Sequence, residues 1–156
     1  KIFSNTINII LYIFESYLIR SKETTDIILN YLSSLGDVSN IIRISSPAIK
    51  ERNYGKYTGK NKLEIEKKLG ENDYLELRRG WDTPIPDGES LRDVYNRVVS
   101  YYLSEIETEL KMGKNVIVSA HGNSLRALYK YLKNISDEDI KNFEIPTGEV
   151  LIIDYT

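Results

Sequence analysis

A chain of 156 residues with 41% hydrophobic content suits one core, and residues 1–156 are expected to form a single domain. Its 21 basic and 23 acidic residues leave a net charge of −2, so no global field draws it to nucleic acid or an acidic membrane. Without cysteine there is no disulfide framework and no thiol nucleophile, and with one histidine no metal site is expected.

The most apolar run, Ile7 to Phe14, is well short of the ~20 residues that a membrane span needs and reads as a buried strand. Glu15-Ser16-Tyr17 after it offers no small-residue cleavage site, so a cytoplasmic protein is expected. The first residue is Lys1 rather than methionine, from which we expect that the gene product begins earlier. Thr25, Ile28, Leu29, Leu32 and Leu35 recur at helical spacing, predicting a helix from Ser21 to Leu35 stopped at Gly36. Ile41 to Ile44 reads as a strand ending at Ser45-Ser46-Pro47. Asn61-x-x-Glu64 reads as a capping box opening a helix through Leu69, with a second short helix over Tyr74 to Arg79.

Gly80 to Gly88 holds two prolines and two glycines and is expected to be a loop. Ser90-x-x-Asp93 caps a long helix whose stripe is Leu91, Val94, Val98, Tyr102, Ile106 and Leu110, ending near Gly113. Strand Val116 to Val118, helix Leu125 to Leu132, a short helix from Ser136 and a strand from Glu149 to Tyr155 complete the chain. Apolar strands alternating with amphipathic helices predict an α/β fold, a three-layer sheet with helices on both faces.

The lone His121 follows the strand Val116 to Val118 and precedes a helix, where free backbone N–H groups converge on an anion. A single histidine is as often a packed residue as a catalyst, but ligands in α/β sheets gather at the carboxyl ends of strands. Glu51-Arg52-Asn53-Tyr54-Gly55 sets a carboxylate beside a cation, an amide and a phenol. It is either a polar surface loop or a general acid–base residue next to an anion-fixing arginine. Arg78-Arg79 is either a solvated face or, with Arg20, Arg52 and Lys62, a cation cluster suited to a small phosphate ester.

Taken in order, Ser16-Tyr17-Leu18-Ile19-Arg20-Ser21, Glu51-Arg52-Asn53-Tyr54-Gly55, Gly59-x-Asn61-Lys62, Arg78-Arg79, Gly88-Glu89-Ser90-Leu91, Ala120 to Arg126 and Pro146-Thr147-Gly148 resemble the histidine phosphatase superfamily, and within it the cofactor-dependent phosphoglycerate mutases. The resemblance covers roughly residues 10 to 155. It implies interconversion of 3- and 2-phosphoglycerate in glycolysis and gluconeogenesis through a phosphohistidine, with 2,3-bisphosphoglycerate as primer, no metal, and small phosphoglycerates as partners. It also implies that Glu51 manages the hydroxyl proton, that His121 and Arg20 hold the transferring phosphoryl, and that Arg52, Asn53, Tyr54, Lys62, Arg78, Arg79, Gly122 and Asn123 hold substrate. A homo-oligomer is compatible with it.

This sequence departs from that pattern in several places. It has no Arg-His-Gly motif, so the phosphoryl-accepting histidine and the family's first strand have no counterpart in these residues. That predicts a gap in the sheet, with two strand edges lacking partners. The chain stops at Thr156 without the tail that in the family covers the site, which favours hydrolysis over transfer. The link from Arg79 to Gly88 is short, and Asn53 stands where the family often has histidine. Two further readings therefore stay open: a histidine-type phosphomonoesterase, and a catalytically inactive phosphate-binding fragment. A serine hydrolase is set aside, because neither Ser90 nor Ser124 lies in a Gly-x-Ser-x-Gly elbow.

Overall fold

A computed structural model of the protein describes residues 11–155. Three parallel strands form its sheet: β1 (Leu11–Ser16) lies between β2 (Ile41–Ser46) and β3 (Asn115–Ser119). The register pairs Phe14 with Ile44 on one side and Val118 on the other. The expected strand from Ile7 is seen from Leu11 on; Ile7 to Ile10 lie outside the described residues.

Alternation along β1 sorts the layers. Phe14 and Tyr12 point into the main core with Leu91, Val94, Val98, Tyr102, Ile106, Ala127 and Leu128. Glu15 points to the opposite face, where α1 (Ile19–Ser33) packs on β1 and β3 and Arg43 reaches Glu15 at 2.8 Å. Helices α4 (Leu91–Tyr101), α5 (Glu107–Lys111) and α6 (Gly122–Lys133) cover the first face, so helices flank the sheet on both sides as expected.

Helices α2 and α4 begin at side-chain caps. Ser90 and Asp93 form a reciprocal capping box at α4. At α2 (Lys62–Leu69) only the forward half forms: the Asn61 side chain accepts the Leu63 N–H, with no return bond from Glu64. The second short helix, α3 (Glu71–Arg79), follows directly after Gly70, starting three residues earlier than the predicted Tyr74. The stripe from Leu91 to Ile106 is buried, but the helix is not uniform: Tyr102–Ile106 is a π-turn linking α4 to α5. In α1, Ser21 and Thr25 are the buried positions, while Leu35 lies past the helix and is exposed.

One expected element is absent. Glu149 to Tyr155 forms no strand; Val150 and Ile152 are largely exposed and Tyr155 leans on Glu107. A strand needs a neighbour's ladder, and among the described residues none pairs with this segment, so the β-preference of Leu151-Ile152-Ile153 is not enough. The short helix expected from Ser136 is a 3-10 turn at Asp139–Asn142. Among the described residues no helix is long and apolar enough to cross a membrane.

Candidate active site

The carboxyl ends of β1, β2 and β3 point to one edge of the sheet, and the candidate residues gather there. Arg20 lies in the first turn of α1, directly after β1. Three serines fix this corner: Ser21 Oγ accepts the Ser16 N–H and donates to the Ser119 carbonyl at 2.7 Å, while Ser119 Oγ donates to the Ser21 carbonyl. The strand-to-helix turn after β3 then places His121 as N-cap of α6, with the backbone N–H groups of Gly122 and Asn123 in its first turn.

Arg20 Nε donates to His121 Nδ1 at 3.1 Å, although 101 positions separate them in sequence. A guanidinium has no acceptor, so Nδ1 supplies the lone pair and the imidazole proton sits on Nε2. That Nε2 is buried, with no hydrogen-bond partner among the described residues. Burial, and then the Arg20 charge, hold the ring's pKa below its ordinary value of 6.5, so His121 is neutral at physiological pH.

A cleft of about 570 Å³ opens beside Arg20, between the loop after β2 and helices α2 and α3. Arg20, Lys50, Arg52, Lys60, Lys62 and Arg78 line it around the single carboxylate of Glu51, together with Tyr54 and Asn53. Arg52 is only 3% exposed; its Nε donates to the Glu89 carbonyl at 2.6 Å and Nη1 to the Leu77 carbonyl, but Nη2 is buried without a hydrogen-bond partner among the described residues. Arg52 and Arg78 each stack on the Tyr54 ring at 5.1 Å. Burial lowers the Arg52 pKa, and the Arg78 charge adds to this. Glu51 Oε1 accepts the Arg52 backbone N–H at 2.7 Å and Asn123 Nδ2 at 3.0 Å.

Most of the predicted residues are thus brought together. Arg20, Glu51, Arg52, Asn53, Tyr54, Lys62 and Arg78 line the cleft, and His121 and Asn123 are tied to it through Arg20, Glu51 and Tyr54. Gly122 sits beside His121 at the start of α6. Arg79 does not line the cleft: it pairs with Glu144 at 2.5 Å.

Sequence reasoning missed the frame that holds the Glu51 loop. Arg97, on α4, grips Glu89 through Nε at 2.7 Å and Nη2 at 3.1 Å, and donates to the Ala48 and Glu51 carbonyls. Glu89 in turn accepts the Asn53 N–H at 2.8 Å. Burial alone would raise the Glu89 carboxyl, but Arg97 and the Asn53 N–H outweigh it and hold it ionised. Ser124 donates to the Lys50 carbonyl. Gly55, at φ +48°, passes so close to Pro86 that a Cβ would lie 2.0 Å from its carbonyl oxygen, which fixes glycine at this turn. The Gly88-Glu89-Ser90-Leu91 motif marked Glu89, but nothing local marks Arg97, whose carbonyl partners lie 46 and 49 positions away.

A parallel α/β sheet with a cation-lined cleft and a helix N-terminus at its carboxyl edge is an arrangement suited to small anions. Residues 5–156 match the histidine phosphatase superfamily (branch 1), and the chain belongs to that superfamily. It is 41% identical over 143 residues to a 2,3-bisphosphoglycerate-dependent phosphoglycerate mutase of Cytophaga hutchinsonii, and 44% identical over 139 residues to one of Chelativorans sp.. These alignments take in 92% and 89% of this chain but 65% and 66% of the relatives, so the chain spans just under two thirds of their length. The fold is shared with a mycobacterial glucosyl-3-phosphoglycerate phosphatase at TM-score 0.67 and 19% identity, covering 86% of this chain and 63% of that one.

Proposed function

We propose that this chain carries the substrate-holding and proton-handling part of a 2,3-bisphosphoglycerate-dependent phosphoglycerate mutase, an isomerase acting on 3- and 2-phosphoglycerate. The observation that carries this reading is a pair of buried nitrogen atoms without a hydrogen-bond partner among the described residues, His121 Nε2 and Arg52 Nη2, beside a cleft rich in cations. A buried N–H without an acceptor costs about 1–3 kcal/mol, and an oxyanion removes that cost. A phosphoglycerate supplies two anionic groups, and 2,3-bisphosphoglycerate three. The lining cations therefore fit the primer, whose bound role is to supply a phosphoryl group. The phosphohistidine of the family reaction has no accepting residue within this sequence apart from His121, and His121 is read here as a phosphoryl-holding group.

In this scheme Arg20, the His121 Nε2–H and the first N–H groups of α6 neutralise the phosphoryl oxygens. Arg52, Lys62 and Arg78 hold the remaining phosphate and the carboxylate, and Glu51 takes and returns the hydroxyl proton. Phosphoryl transfer depends mostly on positioning and charge, and these are what the residues supply. A cytoplasmic setting and glycolytic or gluconeogenic use go with this reading.

A second reading, a phosphomonoesterase, is favoured by one observation: none of the described residues after Arg78 lines the cleft, so its mouth is open to water. Calorimetric titration separates the two. A mutase site should bind 3-phosphoglycerate about tenfold or more tightly than glycerol 3-phosphate, which lacks the carboxylate. Equal affinities would favour the esterase, and no binding of either would overturn both.

A further inference from the structure

Arg126, the last residue of the His121 motif, has no role in this scheme, yet it is 3% exposed. Its guanidinium donates to four oxygens. Nε reaches the Phe143 carbonyl at 2.9 Å, Nη2 the Ile140 and Arg79 carbonyls at 2.7 and 3.3 Å, and Nη1 the side-chain oxygen of Asn123 at 3.1 Å. Burial, and then the Arg79 charge, push its pKa down to about 10, which leaves it a cation at neutral pH.

The bond to Asn123 is the informative one. A carboxamide has one acceptor end and one donor end, whereas a guanidinium has donors only. With Arg126 on one side, Oδ1 must face it and Nδ2 must face away. On that far side Nδ2 donates to Glu51 Oε1 at 3.0 Å and to the Tyr54 hydroxyl at 3.2 Å. An ionised carboxylate accepts only, so Glu51 demands the same orientation from the opposite end. Oε1, which also accepts the Arg52 N–H, therefore holds two internal donors, and Oε2 holds none among the described residues.

We propose that Arg126 is a positioning residue for Glu51: by holding the Asn123 amide in one orientation it commits Oε1 to internal donors and leaves Oε2 to exchange the substrate proton. The role of Oε2 rests on the proposed function; the orientation of the amide does not. Without the guanidinium only the Glu51 and Tyr54 oxygens hold the amide, and its orientation and hydrogen bonds are held less firmly.

The side-chain amide of Asn123 in a proton–nitrogen correlation spectrum of the full chain, assigned by its loss in Asn123→Ala, tests this. Arg126→Lys keeps a charge but loses the fork, and should speed solvent exchange of the two amide protons about tenfold, the equivalent of one lost hydrogen bond. The backbone signals of α4 should stay in place. Unchanged exchange overturns the proposal, because an Arg126 that merely braces the Phe143 and Ile140 carbonyls would leave that amide alone. If Arg126→Lys does not fold, the wild type decides: amide protons in Overhauser contact with the Tyr54 ring support the proposal, and amide protons closer to Arg126 than to that ring overturn it. Adding 3-phosphoglycerate to the wild-type sample separates the two claims. Absence of binding there overturns the proposed function, while the amide signals still decide Arg126.

Discussion

His121 is governed by two neighbours and by burial. Arg20 occupies Nδ1, burial and the Arg20 charge disfavour a second proton, and Nε2–H has no hydrogen-bond partner among the described residues. The folded chain therefore takes up the imidazole proton at lower pH than the unfolded chain, whose ordinary value is 6.5. Between the two values the unfolded state binds more protons, so stability rises with pH there. The stability that the neutral ring contributes is complete above 6.5 and is lost as pH falls through the lower, folded value. Urea midpoints measured from pH 7.5 to 5 should fall, and a His121→Gln variant should lose that part of the slope. The two adjacent arginines separate just as clearly. Arg78 lines the cleft whereas Arg79 is held by Glu144, so Arg78→Ala should weaken 3-phosphoglycerate binding about tenfold or more and Arg79→Ala distinctly less. Equal losses in a calorimetric titration would mean that Arg79 leaves Glu144 to join the ligand. From sequence, the Arg-Arg pair was visible but not which arginine faces the cleft. That depends on Glu144, 65 residues further on.

At the scale of elements, the sequence was most legible where a start signal and a periodic stripe coincide. Ser90, Asp93 and the Leu91 to Ile106 stripe announce α4, and the capping box and burial follow. Ser90→Ala should cost about 1 kcal/mol in chemical denaturation, the usual loss for such a cap. The π-turn at Tyr102–Ile106 was not legible, since the same apolar spacing serves an α-helix. Glu149 to Tyr155 shows the converse: strand-forming residues are necessary but not sufficient, because pairing depends on an edge that local sequence does not describe. The Glu15–Arg43 pair joins the buried face of β1 to β2, and Arg43 also reaches Asp26 of α1 at 2.5 Å. Arg43→Ala should destabilise by about 3 kcal/mol, the low end for a buried pair because Arg43 is partly exposed, since it leaves the Glu15 carboxylate buried without a counter-charge. A loss below half that size, measured by urea unfolding, would show that Glu15 finds another partner.

Across the whole molecule, a net charge of −2 conceals a strongly polarised surface, with six cations converging on one carboxylate in the cleft. Ligand binding should therefore weaken as salt rises even though the protein as a whole is acidic. Alternation of strands and helices made the layered architecture legible. The convergence of Arg20, Glu51, Arg78 and His121 was not, because they lie in separate segments that only the sheet order β2-β1-β3 brings to one edge. The ordered motifs supplied that grouping in advance, and the match over residues 5–156 accounts for it. Binding of a phosphoglycerate at this edge through the Nε2–H of His121 is the proposal that a single measurement tests most sharply. With one histidine in the chain, its ring signals in a proton–nitrogen spectrum are unambiguous. On addition of 3-phosphoglycerate the Nε2–H signal should move downfield and the ring's pKa should rise, as an anion offsets the Arg20 charge. Ring signals and a titration midpoint that stay fixed at saturating ligand would rule out this mode of binding.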